Sequence, residues 1–229
     1  MVSPSGRGLF DCDNHLYEPP DAVTRYLPKE FLNRAITPVT LASGEEGLLA
    51  GGRLVTGLDH PIDMAHRPGA LKEMLRQMKS GNPGEGYQLE PLRPEYLERE
   101  PRLRLMDDQG VQSAIMYPAT MGTMAEHYVR GVAPLYANLH AYNQWLDDTW
   151  GFDHEGRIYA PAVLSLRDLD HAVEELTYVL ARGARFVMLN AGPAYGRSPG
   201  DPYFDPFWAR INEAGASLAY KGQIWYGVP

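Results

Sequence analysis

The sequence predicts an α/β protein built on parallel strands. Three observations predict it. Strand-like and helix-like stretches alternate strictly after residue 110, start and stop residues punctuate the helices, and the strands are short apolar runs. Such alternation means parallel strands joined by right-handed crossovers, and a strand-to-strand spacing of ~30–45 residues is normal for these units. Two closures fit the pattern: an open doubly wound sheet or a (β/α)8 barrel.

The first strand runs from Gly8 to His15, and Pro19 and Pro20 stop it. Its period of two puts Leu9, Asp11, Asp13 and His15 on one side, and Phe10, Cys12 and Asn14 on the other. Residues from about 21 to 95 are irregular and read as a long insertion. R-P-G-A-L-K-E-M-L-R-Q-M-K is a helix within it, and S-G-N-P-G-E-G a loop. P-E-Y-L-E-R-E-P-R-L-R-L-M-D-D-Q-G is then a helix with Leu103 and Met106 at helical spacing, closing on Gly110 as its C′ residue. V-Q-S-A-I-M-Y-P is the second strand. Val132 to Thr149 forms a long amphipathic helix with Leu135, Leu139, Tyr142 and Leu146 on one face. R-I-Y-A-P-A-V-L-S is the third strand, and D-L-D-H-A-V-E-E-L-T-Y-V-L-A-R-G a helix with an Asp start and a Gly stop. A-R-F-V-M-L-N is the fourth strand. The next helix opens with Asp205 as N-cap and Pro206 at its first position, and closes on Gly215. A-S-L-A-Y begins a fifth strand. A whole barrel needs roughly 250 residues, so after the insertion this length accommodates about five of eight strands.

The bulk numbers narrow the function classes. The chain has 229 residues, 44% hydrophobic and 22% charged, and reads as one folded domain over 1–229. A formal net charge of −8 speaks against nucleic acid or an anionic membrane surface as partner. The single cysteine, Cys12, fits a reducing compartment. The start M-V-S-P-S-G-R-G lacks a signal-peptide core, and no run approaches the ~18 apolar residues of a membrane span. A cytoplasmic protein is the expectation.

D-C-D-N-H-L-Y-E-P-P carries the chemistry. Asp13 and His15, two apart at a strand end, deliver a carboxylate and an imidazole to one side, a pair that suits Zn2+ or Mn2+. A catalytic site takes about three protein ligands and one open position, so the pair is half a site. Local hydrogen bonding at a polar strand end is the competing reading.

D-C-D-N-H-L-Y-E-P-P-D-A-V-T-R-Y-L-P resembles the opening of the amidohydrolase-related family, in its aminocarboxymuconate-semialdehyde decarboxylase-like branch. The similarity continues through R-L-R-L-M-D-D-Q-G-V-Q-S-A-I-M-Y-P, A-Y-N-Q-W-L and R-S-P-G-D-P-Y-F-D-P-F-W-A-R-I-N-E-A-G, from residue 8 to about 220. The resemblance implies a TIM-type (β/α)8 barrel with one divalent metal, Zn or Mn, at its mouth, and hydrolysis or non-oxidative decarboxylation of a small-molecule substrate. It places the first metal ligands on Asp13 and His15, with Asp standing for the first His of other branches. Lys221 stands where the family has a third ligand His, and a protonated lysine offers no lone pair. The family's base His and last ligand Asp fall beyond Pro229. The resemblance therefore implies an incomplete barrel from a truncated or frameshifted gene, or a gene-model artefact. Such a chain binds metal weakly and has no turnover. The alternative is a non-catalytic fragment, joined to a partner chain or a second copy through the open barrel edge.

Other residues have weaker claims. Glu18 is either a group that orients a ligand or water, or a solvated turn residue. Asn190, at the end of strand four, is a candidate substrate contact, and Arg197 a candidate fork for a substrate carboxylate. Tyr117 and Ser165 are lesser candidates of the same kind. His60 and His66 read as surface-loop residues, and His127, His140, His154 and His171 as structural. Cys12 reads as a small buried hydrophobe, and Tyr136, Tyr142 and Trp145 as packing.

Overall fold

The computed structural model describes residues 8–44, 46–55, 62–81 and 88–221. Strand β1 is Leu9–Leu16. The insertion is less irregular than its sequence suggests. After a 3-10 turn at Lys29–Arg34, it forms an antiparallel sheet from β2 (Ile36–Thr40), β3 (Glu46–Ala50) and β4 (Arg53–Val55). A two-stranded ribbon, β5 (Met64–His66) with β6 (Leu89–Pro91), follows around α1 (Ala70–Lys79). His66 thus lies on a strand rather than in a loop, while His60 lies outside the described residues. These strands are short, and several carry proline, glycine or charged residues, so no clean alternation announces them.

The expected helix before the second strand is two helices, α2 (Pro94–Leu97) and α3 (Arg99–Gln109), with Glu98 extended between them. Pro101 explains the break, because its ring would clash with the carbonyl four residues back, that of Leu97. Gly110 closes α3 at φ 71°, and Gly215 later closes α7 at φ 61°. Both take the left-handed conformation expected of a C′ glycine. Next come β7 (Val111–Pro118), α4 (Met121–Tyr128) and α5 (Val132–Thr149). The third strand is divided by Pro161 into β8 (Ile158–Tyr159) and β9 (Ala162–Val163). Helix α6 (Leu169–Ala181), β10 (Phe186–Asn190), α7 (Asp205–Ala214) and β11 (Ser217–Lys221) complete the order. Asp168 caps α6 as expected, its side chain accepting the His171 N–H. Asp205 does not cap α7. It lies inside the helix, and Phe204 occupies the N-cap.

The parallel strands form two three-stranded sheets, β1-β7-β8 and β9-β10-β11 in spatial order. They adjoin at Pro161, which has no N–H for the ladder. Among the described residues the sheets do not close into a barrel. Helix α5 is buried on more than the single face its periodicity suggests, with Leu135, Tyr136, Asn138, Leu139, Tyr142, Asn143, Trp145 and Leu146 all inside. It packs between α4 and the 3-10 turn on one side and β9 and α6 on the other. Asn138 uses its amide to tie the insertion down: it accepts the Ile36 N–H at 3.0 Å and donates to the Arg34 carbonyl at 3.1 Å. Asn143 does the same for the third strand. It accepts the Val163 N–H at 2.9 Å and donates to the Val163 carbonyl at 3.0 Å, standing in for a neighbouring strand.

Candidate functional site

Chemistry in a parallel α/β protein gathers at the C-terminal ends of strands, where successive loops converge. At the end of β1 the simple alternation fails. Asp11 pairs with Ala114 and Asn14 with Met116, so two residues, Cys12 and Asp13, oppose Ile115 alone. This is a β-bulge. The Asp11 carboxylate braces it, accepting the Asp13 N–H at 3.1 Å and the Asn14 side-chain amide at 2.9 Å. Asp11, Asp13 and His15 therefore do not form one continuous row. Cys12 is exposed rather than buried, and Asp13 is exposed beside a half-buried His15. The His15 ring lies 6.3 Å from that of Tyr117, its partner on β7. Burial, helped by Cys12 and Asp13, holds the Tyr117 hydroxyl above the ordinary tyrosine range. Behind the strand, the buried Arg102 donates to the His15 carbonyl at 3.4 Å, and desolvation lowers its affinity for its proton.

Asp13 and His15 fit a divalent ion as a carboxylate–imidazole pair, but only as a pair. Among the described residues no group of three His, Cys, Asp or Glu side chains could hold a metal. A catalytic site needs about three ligands, so the fit is incomplete.

Glu18 is not a solvated turn residue. It is 4% exposed. Its two oxygens accept the Thr120 N–H at 3.2 and 3.1 Å, and one also accepts the Tyr142 hydroxyl at 3.1 Å. Burial, with Glu18 as the next cause, holds that hydroxyl protonated. Gly122 makes the approach of the Tyr142 ring feasible, because a Cβ there would meet the ring at 2.7 Å. Glu18 thus joins the end of β1 to the N-terminus of α4.

A second group of side chains assembles at the ends of β7, β9 and β10, and α4 is central to it. Glu126 accepts the Ser165 hydroxyl at 2.7 Å through Oε1 and the Asn190 side-chain amide at 2.6 Å through Oε2. Ser165 is fully buried, and its Oγ also accepts the Arg167 N–H at 3.1 Å. Tyr136 steadies the same turn by donating to the Ser165 and Asp168 carbonyls, each at 2.8 Å. Burial pushes the Tyr195 hydroxyl up to about 12, with Glu126 the next cause, while Arg167 lies 4.9 Å over the Tyr195 ring. Glu126, His127, Asn190 and Tyr195 line a cavity of about 290 Å3.

Of the sequence candidates, Asn190 and Ser165 enter this group. Arg197 does not: it is exposed, paired with Asp201 at 3.3 Å and stacked 4.5 Å over Tyr203. His127 lines the cavity, whereas His140 and His171 serve structure, bonded to Glu175 and Asp168. Glu126 was not singled out from sequence. It sits on α4, a helix with no strong periodic signal, and acquires its partners only through strands 39 and 64 residues further on.

A family model described as amidohydrolase matches residues 10–222. The chain belongs to the amidohydrolase family. It is also similar to the crystal structure of an amidohydrolase from Mycobacterium avium subsp. paratuberculosis K-10, with 35% identity and a TM-score of 0.83 over 93% of this chain. The chain spans 58% of that protein's chain. No curated protein sequence matches it significantly.

Proposed function

We propose that this chain carries one side of a hydrolase or non-oxidative carboxy-lyase site for a small molecule, laid out on the C-terminal ends of its parallel strands. The observation that carries the reading is the convergence of Glu126 on α4, Ser165 after β9 and Asn190 at the end of β10, in a chain of this family. Asp13 and His15 are the proposed metal ligands, for Zn2+ or Mn2+. The chain's own residues position the rest. The bulge sets the direction of Asp13, Arg102 holds the His15 backbone, and Ser165 and Asn190 fix the Glu126 carboxylate.

We propose that this chain, with two ligands in place of three among the described residues, binds metal weakly and turns nothing over. The test is calorimetric titration with ZnCl2 and MnCl2, run beside hydrolysis and decarboxylation assays. Weak binding that disappears in Asp13→Ala, without turnover, is the expected result. Metal-dependent turnover abolished by Asp13→Ala would overturn the inactive reading. No binding at all would remove Asp13 and His15 as ligands.

The edges support a second reading. Among the described residues, β1 and β11 each have one strand neighbour. Leu218 and Tyr220 of β11 are exposed. Pairing of these edges with a second copy or a partner chain predicts a mass above the monomer in light scattering, and a monodisperse monomer opposes it.

A further inference from the structure

We infer that the Glu126 cavity recognises a primary ammonium group carried on a small apolar body. The inference rests on the reading above that the strand-end face is the substrate side, and it assigns that substrate a chemical class. The cavity, about 290 Å3, lies at the small end of the range for small-molecule sites. Leu166, Leu189, Pro193 and Pro199 supply apolar wall, and Tyr195 and Tyr220 supply aromatic wall. Among these lining residues Glu126 is the one carboxylate, and none is a lysine or arginine.

The carboxylate is fixed in place before any ligand arrives. Because Ser165 Oγ accepts the Arg167 N–H, its own proton is directed to Glu126 Oε1. Asn190 spends an amide proton on Oε2. A carboxylate has about four acceptor sites, so donors from Ser165 and Asn190, even with the nearby Tyr195 hydroxyl, leave one for a ligand. An ammonium group fits that site better than a hydroxyl. A hydrogen bond between ions is roughly twice as strong as a neutral one, and tyrosine faces attract cations. Arg167 already covers one face of Tyr195 but is not a lining residue. A carboxylate placed at this point would be repelled by Glu126, so any carboxylate the substrate carries lies away from it.

The test compares cyclohexylamine with cyclohexanol, matched in shape, by titration of the whole chain followed by NMR. Cyclohexylamine binds at least tenfold more tightly to the unaltered chain, and Glu126→Gln brings the two affinities together. Asn190→Ala, which leaves the charge but frees its geometry, narrows the difference. This second variant decides the matter if Glu126→Gln does not fold. Equal affinities, absence of saturable binding, or a preference unchanged in the variant that folds would each overturn the inference. Tetramethylammonium, a cation without N–H, binds weakly. Binding as tight as that of cyclohexylamine would assign recognition to the tyrosines and refute the role of Glu126. Because the comparison uses no metal, loss of metal binding in the earlier titration overturns the ligand assignment of Asp13 and His15 and leaves the amine preference standing.

Discussion

Replacing Glu18 with alanine removes a buried carboxylate that holds two elements together. Thr120 shares its N–H between both oxygens, and Tyr142 donates its hydroxyl to one of them. Hydrogen bonds to a charged group contribute about 1.5–3 kcal/mol each. Counting the Thr120 contact once, the variant loses about 3–6 kcal/mol, a large share of the ~5–15 kcal/mol that stabilises a typical domain. For a chain of this length that corresponds to a fall in Tm of roughly 6–24 °C. Urea unfolding followed by circular dichroism measures the loss directly. Glu18→Gln, which keeps one acceptor oxygen, recovers about half of it. Tyr142→Phe costs less than Glu18→Ala, and the double variant is less damaged than the sum, because the two side chains share a bond. A Glu18→Ala chain within about 1 kcal/mol of the parent would refute the idea that this carboxylate joins β1 to α4.

Gly122→Ala drives a methyl group into the buried Tyr142 ring, and overpacking of this kind costs about 1–3 kcal/mol, offset in part by alanine's better helix propensity. A lower urea midpoint with an unchanged slope is the expected signature. Asn143→Leu strips Val163 of partners for its N–H and carbonyl, and Glu175 of a donor at 2.8 Å. The expected loss is about 2–5 kcal/mol by chemical denaturation. His140, bonded to Glu175, holds its proton above its ordinary value of 6.5, the hydrogen bond outweighing desolvation. The folded chain therefore binds more protons than the unfolded one between the two values. This contribution is complete below pH ~6.5 and fades as pH rises through the folded value. Unfolding free energies measured from pH 6 to 8 show that decline, and His140→Gln flattens it.

Local signals account for what the sequence made legible. Gly110, Gly215 and Asp168 mark helix ends by backbone geometry or a single short-range bond, and each does so in the structure. The strand ends naming Asn190 and Ser165 followed from the same regularity. What stayed hidden depended on distance or on local exceptions. A period of two cannot foresee a bulge, since the pairing that defines it lies on β7, about a hundred residues away. Glu18, beside two prolines, looked like a solvated turn because Tyr142, which helps bury it, is 124 residues distant. Glu126 became a site residue only when the chain brought Ser165 and Asn190 to it.

The divided third strand has a kinetic consequence. Pro161 interrupts the ladder, and the Val163 amide points its hydrogen at a helix side chain, Asn143, instead of another strand. Exchange of that hydrogen with solvent therefore requires α5 to lift from the sheet, while its neighbours in β10 exchange only when the sheet itself opens. A single amide becomes a clock for helix docking, and the wall beneath Ser165 is as stiff as that docking allows.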